Sequence, residues 1–135
     1  MANSQKEVQV KLMKGLLDLI VLQFLSTQPM HGYQVITKIR KSFGVYFGPS
    51  TVYPLLSALE KKGFVNSEWN MNNERPRKVY NLTNEGQSIL NFTEDSLNFI
   101  CRKISAPSNV DVTVEPANRA SFKPLLKKIG PRQII

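Results

Sequence analysis

From about Pro49 or Ser50 to Lys62 the chain spells a single helix with one buried face, and Pro54 inside it limits where that helix can begin. Val52, Leu55, Leu56 and Leu59 fall at i, i+3, i+4 and i+7, which is one side of an α-helix. Ser50 is the expected N-cap, and Gly63 suits the left-handed residue just past the end. Pro54 has no N–H, so it must lie close to the first turn. Directly afterwards come two candidate strands, about 64–69 and 77–82, joined by the Asn-rich stretch 70–76 with Glu74, Arg75 and Pro76. They read as a hairpin with a long, charged tip. A short helix running straight into such a hairpin admits few folds.

The flanking segments narrow the choice further. A first helix is predicted over about Lys6–Thr27, where Leu12, Leu16, Leu17, Ile20, Val21, Phe24 and Leu25 recur at three- and four-residue steps, and Gln28-Pro29 ends it. A second, about Gly32–Ser42, turns Tyr33, Val35, Ile36 and Ile39 inward. Thr83 caps a fourth, about Asn84–Ile104, with two apolar seams. Ile89, Leu90, Leu97, Ile100 and Ile104 make one, and Phe92 and Phe99 lie on another side. One seam packs on its own domain, and the second calls for a partner, naturally another copy of the chain. The expected dimerisation residues are Phe92, Leu97, Phe99, Ile100 and Ile104, with help from the apolar N-terminal arm. Residues 105–135 hold four of the eight prolines. They read as an extension in which Val110, Val112 and Val114 alternate as a short strand, and Phe122, Leu125, Leu126 and Ile129 give a short helix over about 122–129.

The order helix, helix, helix, hairpin, helix defines the expected fold class. It is mainly α with a small β-hairpin (α+β), a winged helix-turn-helix DNA-binding domain over 1–104 with a C-terminal dimerisation helix, followed by the extension 105–135. The turn around Gly44–Gly48 joins the second helix to the third, which is the one expected to enter the DNA major groove. Its outward residues are Ser50, Thr51, Tyr53, Pro54, Ser57, Lys61 and Lys62. Small hydroxyls at a helix N-terminus let the backbone approach phosphate and reach base edges, and Thr51 adds a methyl for thymine. Arg75, Arg77 and Lys78 at the hairpin tip suit phosphate or minor-groove contact, and Lys38 with Arg40 and Lys41 forms a further basic cluster. His31, at a helix start, reads as a cap or core group, and Trp69 as a packing residue of the hairpin.

Charge agrees with a polyanionic partner. Eighteen Lys+Arg face ten Asp+Glu, a net +8. One histidine and one cysteine, with no metal-spaced cluster, phosphate loop or nucleophile elbow, argue against an enzyme and give no reason to expect a cofactor or metal. Cys101 alone cannot form an intramolecular disulfide, which suits the cytoplasm. The longest uncharged part of the first helix and its exit, Leu19–Met30, is 12 residues, against about 20 for a bilayer span. No membrane association is expected.

Four pieces carry a resemblance. GLLDLIVLQFL at 15–25, HGYQVITKI at 31–39, STVYPLLSALEKKGFV at 50–65 and RKVYNLTNEG at 77–86 resemble the PadR family of transcriptional regulators. The second and third pieces are the specific ones. The resemblance implies a winged-helix dimer that represses promoters. It also implies DNA contacts from Ser50, Thr51, Tyr53, Pro54 and Ser57 and from the wing residues Arg77 and Lys78, and many members release DNA when a small aromatic or drug-like ligand binds. The chain departs from larger members in having one C-terminal helix, and its tail after Ile104 has no counterpart. The functional reading is a sequence-specific, repressing regulator that binds double-stranded DNA at a palindromic operator as a homodimer, with a possible, unidentified small-molecule effector. The alternatives are a winged-helix protein-interaction module and a weakly specific architectural DNA-binding protein.

Overall fold

Between Leu17 and Leu25 only Asp18 faces solvent, so this stretch can persist as a helix only inside a core. In the computed structural model, which describes residues 2–72 and 74–105, it is the second half of α1 (Ala2–Thr27). The strand expected at 110–114 and the helix expected at 122–129 lie outside the described residues. The hydroxyls of Ser26 and Thr27 close α1 by donating to the Gln23 and Phe24 carbonyls, each at 2.6 Å. The helix starts four residues before the expected Lys6, and its exposed first half has a task. Lys6 Nζ and Gln9 Nε2 donate to the carbonyls of Gly44 and Phe43, at 3.1 and 3.2 Å, and so tie α1 to the turn that follows α2.

The chain then forms β1 (Met30–His31), α2 (Gly32–Phe43), α3 (Pro49–Lys61), β2 (Val65–Asn70), β3 (Arg77–Leu82) and α4 (Asn84–Ser105). Two compact units divide it, Met1–Leu90 and Asn91–Ile135, and α4 crosses the division. In the first unit, α2 buries Gly32, Val35, Ile36 and Ile39, and α3 buries Val52, Leu56 and Leu59. Each such aliphatic side chain contributes about 1.5–3 kcal/mol by leaving water. Tyr33 does not join the inward side of α2 as expected. It lies one residue off the Gly32–Ile36–Ile39 stripe and is 66% exposed.

At the start of α3 the capping residue differs from the expected Ser50. Its N-cap is Gly48, and Pro49 occupies the first turn, where a missing N–H costs nothing; Ser50 is already inside the helix. Pro54 consequently sits two residues deeper than a Ser50 cap would place it and has no N–H to give to the Ser50 carbonyl. At the far end Gly63 adopts φ 85°, with Gly63 N–H bonded to Glu60 O and Phe64 N–H to Leu59 O, both at 3.0 Å. This double bond pattern is the left-handed termination expected from the sequence.

The sheet has three antiparallel strands in the order β1-β3-β2. The β2–β3 hairpin pairs Val65 with Leu82 through to Asn70 with Arg77. The two-residue β1 pairs Met30 with Tyr80 and His31 with Val79. It was not anticipated, being far too short for an alternation signal. Thr83 caps α4 as expected: its Oγ1 accepts from the Gly86 N–H at 2.9 Å and donates to the Gly63 carbonyl at 2.6 Å. The architecture is the winged helix expected from the sequence, with a third strand and a C-terminal helix.

Candidate nucleic-acid interface

The outward side of α3 is polar and open. Ser50, Thr51, Pro54, Ser57 and Lys61 are all exposed, and no residue among them is acidic. Tyr53 belongs to this side only in part. Its ring lies directly over Gly32 at the start of α2, where a Cβ would fall 2.3 Å from a ring carbon. Gly32 is therefore a seat for Tyr53, and Tyr53, 40% exposed, holds α3 against α2 as well as facing outward.

Beside this helix is a cleft of about 610 Å³. Its walls come from the start of α2 (His31, Gly32, Tyr33), from Tyr53 of α3, and from the wing (Trp69, Arg75, Pro76, Arg77, Lys78, Tyr80). Three cations and four aromatic rings line it, and no carboxylate is among its lining residues. Such a wall favours an anion, with rings offering flat apolar surface beside the charge. Trp69 does not pack as expected. It shares a strand face with Val65 and Ser67, but only Val65 reaches the core, so Trp69 stands 61% exposed at the distal end, with Lys78 Nζ 5.9 Å from its ring. The exposed aromatics Tyr33 and Trp69 were not foreseen as part of this surface.

The basic residues differ in how committed they are. Lys78 Nζ lies 4.0 Å from Glu60 Oε1, a half-exposed pair of the kind worth about 0–1 kcal/mol. Glu60 also accepts from Ser67 Oγ at 2.6 Å. Lys38 Nζ lies 5.1 Å over the Phe24 ring of α1, so the structure does not bring it to the cleft. Arg75 is exposed at the tip. Arg77 is also exposed, and its Nη1 lies 3.0 Å from His31 Nε2.

Burial, and then the nearby Arg77 charge, push the His31 pKa below its ordinary value, so the ring is neutral at pH 7. The unfolded chain takes up a proton below about pH 6.5, whereas the folded chain resists until lower pH. The neutral ring's contribution to stability is therefore fully present above about pH 6.5 and is lost as pH falls through the folded-state value. His31 is the only histidine. Thermal melts of the wild type and His31→Gln from pH 7.5 to 5 should converge or cross as pH drops; parallel curves would refute the assignment.

No group of three or more His, Cys, Asp or Glu among the described residues is placed to hold a metal, and no described helix is long and apolar enough to cross a membrane. The family model for the PadR-like transcriptional regulators matches residues 21–91, which takes in the end of α1, β1, α2, α3, the wing and the first two turns of α4. The chain belongs to the PadR-like family of transcriptional regulators. This PadR-like chain is also similar to solved structures. A PadR family transcriptional regulator from Eggerthella lenta is 28% identical, with 80% of this chain and 96% of that one covered and a TM-score of 0.72. A PadR family regulator from Clostridium difficile is 26% identical, with 67% and 95% covered and a TM-score of 0.62. Bacillus subtilis PadR, solved in complex with operator DNA, shares the fold at 24% identity and a TM-score of 0.53, with 56% of this chain and 45% of that one covered. No match is found among curated proteins. Family members are transcriptional regulators, not enzymes.

Proposed function

We propose that this PadR-like regulator is a repressor that binds a palindromic operator as a homodimer, with α3 reading sequence in the major groove and the wing holding the phosphate backbone. The observation that carries the reading is the continuity of two surfaces: the exposed hydroxyl face of α3 adjoins a cation-lined cleft with no carboxylate in it. The net charge of +8 supports it, as does the operator complex of Bacillus subtilis PadR, a protein of the same fold. In this reading Ser50, Thr51, Pro54 and Ser57 meet base edges and adjacent phosphates, Lys61 and Arg75 flank them, and Arg77 and Lys78 neutralise phosphate. Phe92, Leu97, Phe99, Ile100 and Ile104 belong to the contact between copies. Half-sites then lie on the order of 10 base pairs apart, centre to centre.

The test uses an operator recovered from bound genomic fragments, compared with a random duplex in salt titrations. Arg77→Ala should weaken both duplexes alike and flatten the log–log salt slope by about 1. Thr51→Ala with Ser57→Ala should cost about 1–3 kcal/mol on the operator and little on random DNA. Tyr53→Ala is a poor probe here because it also empties the seat at Gly32. Equal losses on both duplexes from both changes would remove α3 as the reading element.

A further inference from the structure

His31 borders the cleft and touches one of its cations, yet it has no place among the DNA-contacting residues above. It is held from several directions. Its backbone N–H donates to Gln34 Oε1 at 3.0 Å, its backbone pairs with Val79 of β3, and it is the extended N-cap of α2. The backbone that carries the ring is therefore fixed beside the cleft, and the ring meets the longer, more flexible side chain of Arg77. A guanidinium only donates, so with Arg77 Nη1 at 3.0 Å, Nε2 is the acceptor and the ring proton sits on Nδ1.

The identity of that acceptor matters. Among the described residues no carboxylate pairs with Arg77; the nearby Glu60 is engaged by Lys78 and Ser67. A carboxylate in place of His31 would also fix the guanidinium, but it would cancel the charge and compete with phosphate. A neutral imidazole orients the cation and leaves the charge whole. It occupies one edge of the fork, and the remaining N–H groups are free to face the cleft. Ordering a long side chain at an interface is costly, and a side chain already ordered avoids most of that cost.

We propose that His31 is a positioning residue for DNA binding, holding the Arg77 guanidinium in the orientation on which a backbone phosphodiester docks without neutralising it. This rests on the DNA-binding reading above.

The test is a double-mutant cycle in the full chain, read by fluorescence anisotropy on operator and random duplexes, with thermal melts alongside. His31→Phe should weaken both duplexes about three- to tenfold, the range expected for losing one pre-ordered side chain. The salt slope should stay unchanged, since no charge is removed. In an Arg77→Ala background His31→Phe should cost nothing further. His31→Gln, whose amide oxygen can still accept from Arg77, should recover most of the affinity, whereas His31→Asn, too short to reach, should behave like His31→Phe. Equal losses with and without Arg77, or Gln and Asn variants that bind alike, would overturn the proposal. Wild-type protein that binds neither duplex in a salt-dependent way would instead defeat the DNA-binding reading itself, and this proposal with it.

Discussion

Replacing Phe92 and Phe99 together with serine should turn a dimer into a monomer and cut operator affinity by roughly 100- to 10,000-fold. Both rings lie on α4, at 66% and 52% exposure, and Ile100 and Ile104 are exposed on the same helix. Large apolar residues scattered singly over a surface need no explanation, but several on one helix leave apolar area that a second copy would remove from water. Serine at these positions removes no core packing, so stability within one chain should change by about 0.5 kcal/mol or less per site. The large effect is on DNA. In the proposed dimer two linked reading heads would engage two half-sites, which makes the second engagement effectively intramolecular. Sedimentation equilibrium at micromolar concentration, paired with operator titration, measures both consequences. An unmodified chain that sediments as a monomer would sink the dimer, and a variant that stays dimeric would place the contact elsewhere.

Gly86→Ala should destabilise the fold by on the order of 3 kcal/mol. Helix propensity alone predicts the opposite, since alanine is favoured over glycine inside a helix by about 1 kcal/mol. The geometry decides between them. A Cβ on Gly86 would lie 2.0 Å from the Phe64 carbonyl oxygen and 2.7 Å from Leu82 Cδ1. The leucine can turn away, but the carbonyl cannot. Phe64 O accepts from Thr83 N–H at 3.1 Å, and Thr83 Oγ1 is itself bonded to Gly63 O and to Gly86 N–H. The start of α4 and the start of β2 are thus locked backbone to backbone. Gly15, inside α1 with nothing within 4 Å of a built Cβ, is the control, and Gly15→Ala should be neutral or stabilising. Urea melts of the two variants give the comparison. A stabilised Gly86→Ala protein would show that this crossing is looser than described.

Long elements were legible because their signals are repeated. Val52, Leu56 and Leu59 set the buried side of α3 three times over, and Gly63 marks its end by a backbone conformation other residues avoid. Features resting on one or two residues were not. The strand Met30–His31 has no alternation to read, because two residues cannot show a period. Ser50 is the cap the pattern points to, but Pro49 fits the first turn and the cap falls on Gly48. Tyr33 and Trp69 were assigned inward because large rings usually are. The core ends short of both, and only a spatial account of where it ends could have placed them on the cleft. Likewise the contact of Arg77 with His31 joins residues 46 positions apart, and the strand pairing that creates it is the one too short to foresee.

Because β3 is bonded on both sides, the wing is less a loose flap than a bracket bolted at its base. Met30 and His31 clamp one side near Tyr80 and Val79, and β2 runs along the other as far as the Asn70–Arg77 pair. The stretch between Asn70 and Arg77 is outside this ladder. Loop tips of this kind accept insertions and exchanges that a ladder does not. A lineage can therefore lengthen, shorten or recharge the tip, and so change how far along the duplex the protein reaches, without renegotiating the register that fixes Arg77. With α3 reading sequence and the wing on phosphate, as proposed above, grafting tips between relatives should change affinity and reach while leaving the sequence that is read unchanged.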